Sequence, residues 1–129
     1  MKPTLDLSHA GEARLPVRWI AILRPQLPGT SLALTSGVHR GTEVAKGLLA
    51  GADAVMATAE LLRRGPGRAA ELLRELDDWM LSHDYESVQQ LKGSVAQHTA
   101  GDPAAFERAQ YQQVLSAWQR PLWASSPPG

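Results

Sequence analysis

Residue types that could do chemistry gather in two short stretches: Thr35-Ser36-Gly37-Val38-His39 and Thr58-Ala59-Glu60. The chemistry they suit is holding an anion. Gly37 has no side chain to stop a phosphate from approaching the backbone, Ser36 adds a hydroxyl donor, and the amides of Gly37 and Val38 are available to phosphate oxygens. Thr58 and the amides of Ala59 and Glu60 form a second wall at the start of a short helix, whose positive end favours negative charge. The Glu60 carboxylate suits a helix N-terminus but repels phosphate, so Glu60 counts only through its backbone. T-S-G after a strand is also an ordinary turn, and the residues alone leave both readings open.

The remaining candidates carry less. His39 reads as a loop histidine exposed to water, without a catalytic role. His9, His83 and His98 are far apart with no partner at ligand spacing, so no metal is expected. Lys46 lies three residues from Glu43 on a helix, which suggests a surface ion pair rather than a Schiff-base lysine. Ser36 sits in T-S-G rather than a G-x-S-x-G elbow, so it is no hydrolase nucleophile. Without cysteine there is no disulfide, thiolate catalysis or cysteine metal site.

The elements that must hold the two stretches follow from periodicity. A helix is predicted from Pro16, its first residue, to Arg24, with Leu15, Trp19, Ile22 and Leu23 on the core face. Ser31 to Thr35 is a short apolar run that reads as a strand. Gly41 to Ala50 reads as a helix closed by Gly51 as a left-handed cap, and Ala54 to Thr58 as a second strand. Strand, helix and strand with tight connections form a right-handed parallel unit. AELLRR then gives a short helix before Gly65 to Gly67. A longer helix runs to about His83 with a stripe of Ala69, Leu72, Leu73, Leu76, Trp79 and Met80, and with Arg74, Asp77 and Asp78 on the wet side. Trp19, Trp79 and Trp118 are read as core and Trp123 as exposed. ESVQQLKGSVAQH predicts a short helix, and Asp102-Pro103 opens a final one through Trp118. Residues 119–129 read as a disordered tail.

Thirteen basic and thirteen acidic residues cancel, which gives no field to draw nucleic acid or an anionic membrane. No apolar run approaches the roughly 20 residues of a membrane span, and the first residues lack a signal-peptide core, so a cytoplasmic location is expected. The chain has 129 residues, whereas a complete (β/α)₈ barrel takes about 250.

The stretches LPVRWIAIL, LALTSGVH, LLAGADAVMATAELLRRGP, LRELDDWMLSHDYESVQQLKGSVAQ and DPAAFERAQY, in that order, resemble the C-terminal portion of the dihydroorotate dehydrogenase-like flavoproteins. The likeness runs roughly from Leu5 through Trp118, and DYESVQQLKGS is its most distinctive part; AGAD alone is weak. It implies an α/β fold, the C-terminal part of a TIM (β/α)₈ barrel over residues 1–118: two parallel strands with helices, plus a helical extension. It also implies flavin mononucleotide (FMN) as cofactor, with Ser36, Gly37 and Val38 matching the first phosphate loop and Thr58 and Ala59 the second. In such proteins hydride passes between flavin and a dihydropyrimidine, a reaction of pyrimidine metabolism. The catalytic base, the lysine near the ring and the pyrimidine-binding asparagines lie on earlier strands, so this chain reads as a fragment, inactive by itself. The partner implied is the rest of the barrel, or another chain completing the sheet, with a homo-oligomer also possible. A different class of protein, a non-enzymatic α/β interaction module that completes a sheet by edge pairing, fits the same elements.

Overall fold

A computed structural model of the chain describes residues 6–95. The expected final helix to Trp118, the tail, His98 and Trp123 lie outside the described residues.

A 3₁₀ turn, Ala10–Ala13, leads directly into helix α1, Arg14–Leu23, which passes into a second 3₁₀ turn, Arg24–Gln26. Pro16 is therefore the third residue of α1 rather than its first, still inside the turn whose amides need no helical acceptor. The core face of α1 also differs from the expected one. Val17, Ile20 and Ala21, at i, i+3 and i+4, pack with Leu34, Val38, Ala50 and Ala52, while Leu15 and Trp19 stay 59% and 53% exposed. The helix is apolar on more than one side, and β1 and α2 lie against only one of them.

Strands β1, Ala33–Leu34, and β2, Ala54–Val55, pair in parallel, with Ala33 opposite Ala54 and Leu34 opposite Val55. Regular pairing is shorter than the two five-residue runs expected. Bonds from the Asp53 and Ala54 amides to the Leu32 carbonyl, and from the Met56 amide to that of Leu34, extend the ladder at its ends. Among the described residues neither strand has a second neighbour to prolong it. The chain then leaves the sheet at Ala57, so Thr58 is the first residue of α3, Thr58–Arg64, and not the end of a strand.

Helix α2, Gly41–Ala50, makes the crossover and ends at Gly51 (φ 107°), as its sequence suggests. Glu43 turns back to accept the Arg40 amide at 2.8 Å and is buried, so it is not the surface partner expected for exposed Lys46. On the far side of α2, Ala45 and Leu48 form one buried cluster with Leu76 and Met80 of α4, Arg68–Ser82, and with Leu91. The buried stripe of α4 is narrower than predicted: Leu73 and Ala69 are exposed, and with Val44, Val55, Ala57, Leu61 and Leu72 they line an open apolar groove. Trp79 stacks on His83 and Tyr85 and is only half-buried, whereas Arg74, Asp77 and Asp78 face water as expected. Ser87 caps α5, Val88–Leu91, and Leu91 is wholly enclosed.

Asp53 ties the periphery together. Its carboxylate accepts Arg24 at 2.8 Å and the Leu32 amide at 2.9 Å and pairs with Lys92, which together with the other bonds holds it at about 2, well below an ordinary aspartate.

The tightest helix contact is at Gly41. A β-carbon there would lie 2.4 Å from Glu75 Cβ and 2.7 and 2.8 Å from the backbone of Glu75 and Leu76, so α2 and α4 meet backbone to backbone. Gly41→Ala should lower stability by about 1 to 3 kcal/mol, the usual effect of overpacking. Urea unfolding checks this, and an unchanged midpoint would mean that the helices do not touch there.

Candidate functional site

The loops after β1 and β2 open on one cavity of about 290 Å³. Ser36, Gly37 and Val38 line one side, Thr58 and Ala59 another, and Asp6 to Ser8 a third, so all five residues singled out by sequence come together. Val38 and Ala59 are buried apolar residues, and anything polar they offer a ligand is backbone. The Arg63 guanidinium holds the third side by donating to the carbonyls of Ser8 at 3.0 Å and Leu7 at 3.3 Å. Among the described residues the lining contains no arginine or lysine and does contain Asp6. The polar groups that these described residues offer are amides and hydroxyls together with the Asp6 carboxylate.

The loop between the strand and α2 is shaped by two consecutive left-handed residues, Ser36 (φ 75°) and Gly37 (φ 74°). The need for glycine differs from the one the sequence suggests. A β-carbon on Gly37 would fall 2.2 Å from the Ala13 nitrogen and 2.9 Å from both Ala13 Cα and the Glu12 carbonyl carbon. The obstacle is the chain's own N-terminal turn, before any ligand is considered. Ser36 is likewise engaged: its hydroxyl donates to Glu12 at 2.9 Å, and Glu12 also accepts the His9 amide at 3.1 Å. The His9 amide first, then Ser36, lowers the Glu12 carboxyl below its ordinary range.

The sequence reading of His39 as a solvated loop histidine does not hold. His39 is 8% exposed, and its Nδ1 lies 2.9 Å from Glu60 Oε2. Its Nε2 has no partner among the described residues. Glu60 turns its carboxylate into this cluster: Oε1 accepts Arg68 Nε at 2.9 Å and Arg64 at 3.3 Å. Its bond to His39, then those to Arg68 and Arg64, outweigh burial and hold the Glu60 carboxyl at about 2. Arg68 spends every arm of its guanidinium. Nη1 donates to Glu71 at 3.0 Å and Glu75 at 2.5 Å, and Nη2 to the His39 carbonyl at 2.9 Å. Glu75 in turn accepts the Gly41 amide at 2.6 Å, and its carboxyl is lowered by Arg68 first and by that amide second. Arg68 itself is raised above the ordinary arginine value, chiefly by Glu75.

Sequence reasoning missed Arg68, Glu71, Glu75, Glu12 and Arg63. One signal was present: Arg68, Glu71 and Glu75, spaced i, i+3 and i+7, share a face of α4. No protein-family model matches this chain, and neither does any curated protein. Among the described residues, no group of three or more histidine, aspartate or glutamate side chains is placed to hold a metal ion, and no helix is long and apolar enough to cross a membrane.

Two outcomes follow from this geometry. Gly37→Ala should destabilise the chain by about 2 to 4 kcal/mol with no ligand present, since it combines a left-handed backbone with a steric conflict; thermal unfolding without flavin measures it, and an unchanged melting point would contradict the packing against Ala13. The second outcome is acid sensitivity. Glu60 shifts from an ordinary 4.5 down to about 2, so its contribution is complete above pH 4.5 and is lost as pH falls through about 2. Glu60→Gln should flatten the stability profile across that window, and an unaltered slope in urea titrations would place its origin elsewhere.

Proposed function

We propose that this chain supplies the phosphate-holding end of an FMN site in a flavin-dependent oxidoreductase of the dihydroorotate dehydrogenase-like kind. The observation that carries the reading is the single cavity at the carboxyl ends of two parallel strands, lined by both loops that the family likeness matches to phosphate. Ligands of parallel α/β architectures bind at that end of the strands, and in barrels the last two loops commonly take a phosphate.

The residues fit a phosphate with a restriction. With no cation among the described lining residues, and with Glu12 occupying the Ser36 hydroxyl, the amides of Gly37, Val38 and Ala59 and the Thr58 hydroxyl are the groups that would hold FMN. When bound, FMN supplies the hydride chemistry. The chain's own part is to bind and orient the phosphate, with the substrate, a dihydropyrimidine, met by residues of the completed barrel. Outer edges of β1 and β2 and the exposed Leu15, Trp19 and Met56 are surface for the strands and helices that complete it, whether from further residues or from another chain. Those same open edges favour a second reading, an interaction module without flavin.

Amide NMR spectra of the full chain, titrated separately with FMN and riboflavin, separate the two. FMN should shift the amides of residues 36–38 and 58–59, and riboflavin, which lacks the phosphate, should not. Glu12→Gln should tighten FMN binding several-fold, since one opposing charge and one competitor for Ser36 are weakened. If FMN leaves both loops unmoved at millimolar concentration, the flavin reading fails and the module reading takes its place.

A further inference from the structure

We propose that Arg68 is a positioning residue of the cavity, one that fixes the Ser36–His39 loop against the start of α3 without touching what the cavity holds. Arg68 does not line the cavity, yet both of its key partners are chain neighbours of residues that do: the His39 carbonyl follows Val38, and the Glu60 carboxylate follows Ala59. Those two partners stand 29 and 8 residues from Arg68 in sequence, and beyond the Met56–Leu34 bond that ends the ladder the walls meet directly through one contact, His39 with Glu60. A planar guanidinium adds a second tie. Its fork directs donors to His39, Glu60, Glu71 and Glu75 at once, and an ammonium group at this site has too few fixed directions to do the same. At 5% exposure Arg68 is largely shielded from water. A buried ion cluster is a poor source of stability compared with apolar packing, which favours a geometric role.

Charge gives the cluster a second consequence for the same cavity. Glu60, Glu71 and Glu75 carry three negative charges against the two positive charges of Arg64 and Arg68. Arg68 keeps Glu60 bonded and partly neutralised, one residue away from the wall at Ala59. Weakening it frees a carboxylate beside a site that takes an anion. This second consequence rests on the phosphate reading above, whereas the clamp on the walls does not.

Backbone ¹⁵N relaxation of the full chain tests the clamp. In Arg68→Lys, order parameters at residues 36–39 and 58–60 should fall together from about 0.85 to below about 0.6, with α2 unchanged beyond its first turn. Arg24→Lys, which weakens the separate Asp53 cluster, is the control: at a comparable loss of thermal stability it should leave both walls ordered, which a merely structural role for Arg68 does not predict. Should Arg68→Lys fail to fold, Arg68→Gln makes the same measurement, because it removes the guanidinium fork while leaving the direct His39–Glu60 contact in place. Walls that stay rigid in the variant measured, or that loosen equally in Arg24→Lys, overturn the proposal. In the same samples FMN titration reads the anion effect. An Arg68→Lys chain should bind FMN about 10-fold more weakly than the parent. A parent chain whose loops ignore FMN removes the phosphate reading, and the relaxation data still decide the clamp.

Discussion

Pairing two strands in parallel obliges the chain to cross back over the sheet, and α2 is that crossing. One flank of the helix, with Ala50 and the following Ala52, closes the core formed by α1, Leu34 and Val38. The opposite flank, with Ala45 and Leu48, closes the core under α4 and α5. A single ten-residue helix therefore joins two apolar clusters, and its small residues make that possible. Gly41 admits the backbone of α4, and Gly47 lies against Leu34 and Val55, where a side chain would intrude between helix and sheet. The positions of both outgoing loops, and hence of the cavity, descend from this arrangement.

The charged groups form two separate clusters of different character. Around Asp53 the ion pairs lie at the surface and join segments that meet at the rear of the unit: the end of α1, the approach to β1 and the stretch after α5. Around Arg68 the guanidinium and Glu60 are enclosed while Glu71, Glu75 and Arg64 reach the surface, and the cluster joins the segments that bear the cavity. Burial makes Glu60 the demanding member of the second cluster, since a carboxylate so enclosed needs a positive partner to remain ionised. Glu60 is the instructive member. Judged by its place at the start of α3 it looks hostile to an anion, yet its carboxylate is directed into the cluster and is shared among His39, Arg64 and Arg68.

Much of the backbone was legible in the sequence because the signals were local. The strand, helix and strand from Ser31 to Thr58, the cap at Gly51 and the break at Gly65 to Gly67 all depend on residues close in the chain. The five proposed site residues also meet in space, since a parallel crossover places both outgoing loops at the same end. What failed to read was long-range. Which side of α1 is buried depends on where α2 lies, and Trp19 is therefore exposed despite its type. His39 and Arg68 become buried through partners 21 and 29 residues away, and neither periodicity nor propensity encodes such a pairing. The role of Gly37 was right in place and different in cause, because the nearest atoms belong to Glu12 and Ala13, 24 or 25 residues earlier.

Both outer edges of the two-stranded sheet carry peptide groups with no strand beside them among the described residues. Such groups make no distinction between an intended neighbour and a second copy of the same chain. The population of any self-paired form is then governed by mass action, so the concentration of the chain itself becomes a variable of its chemistry.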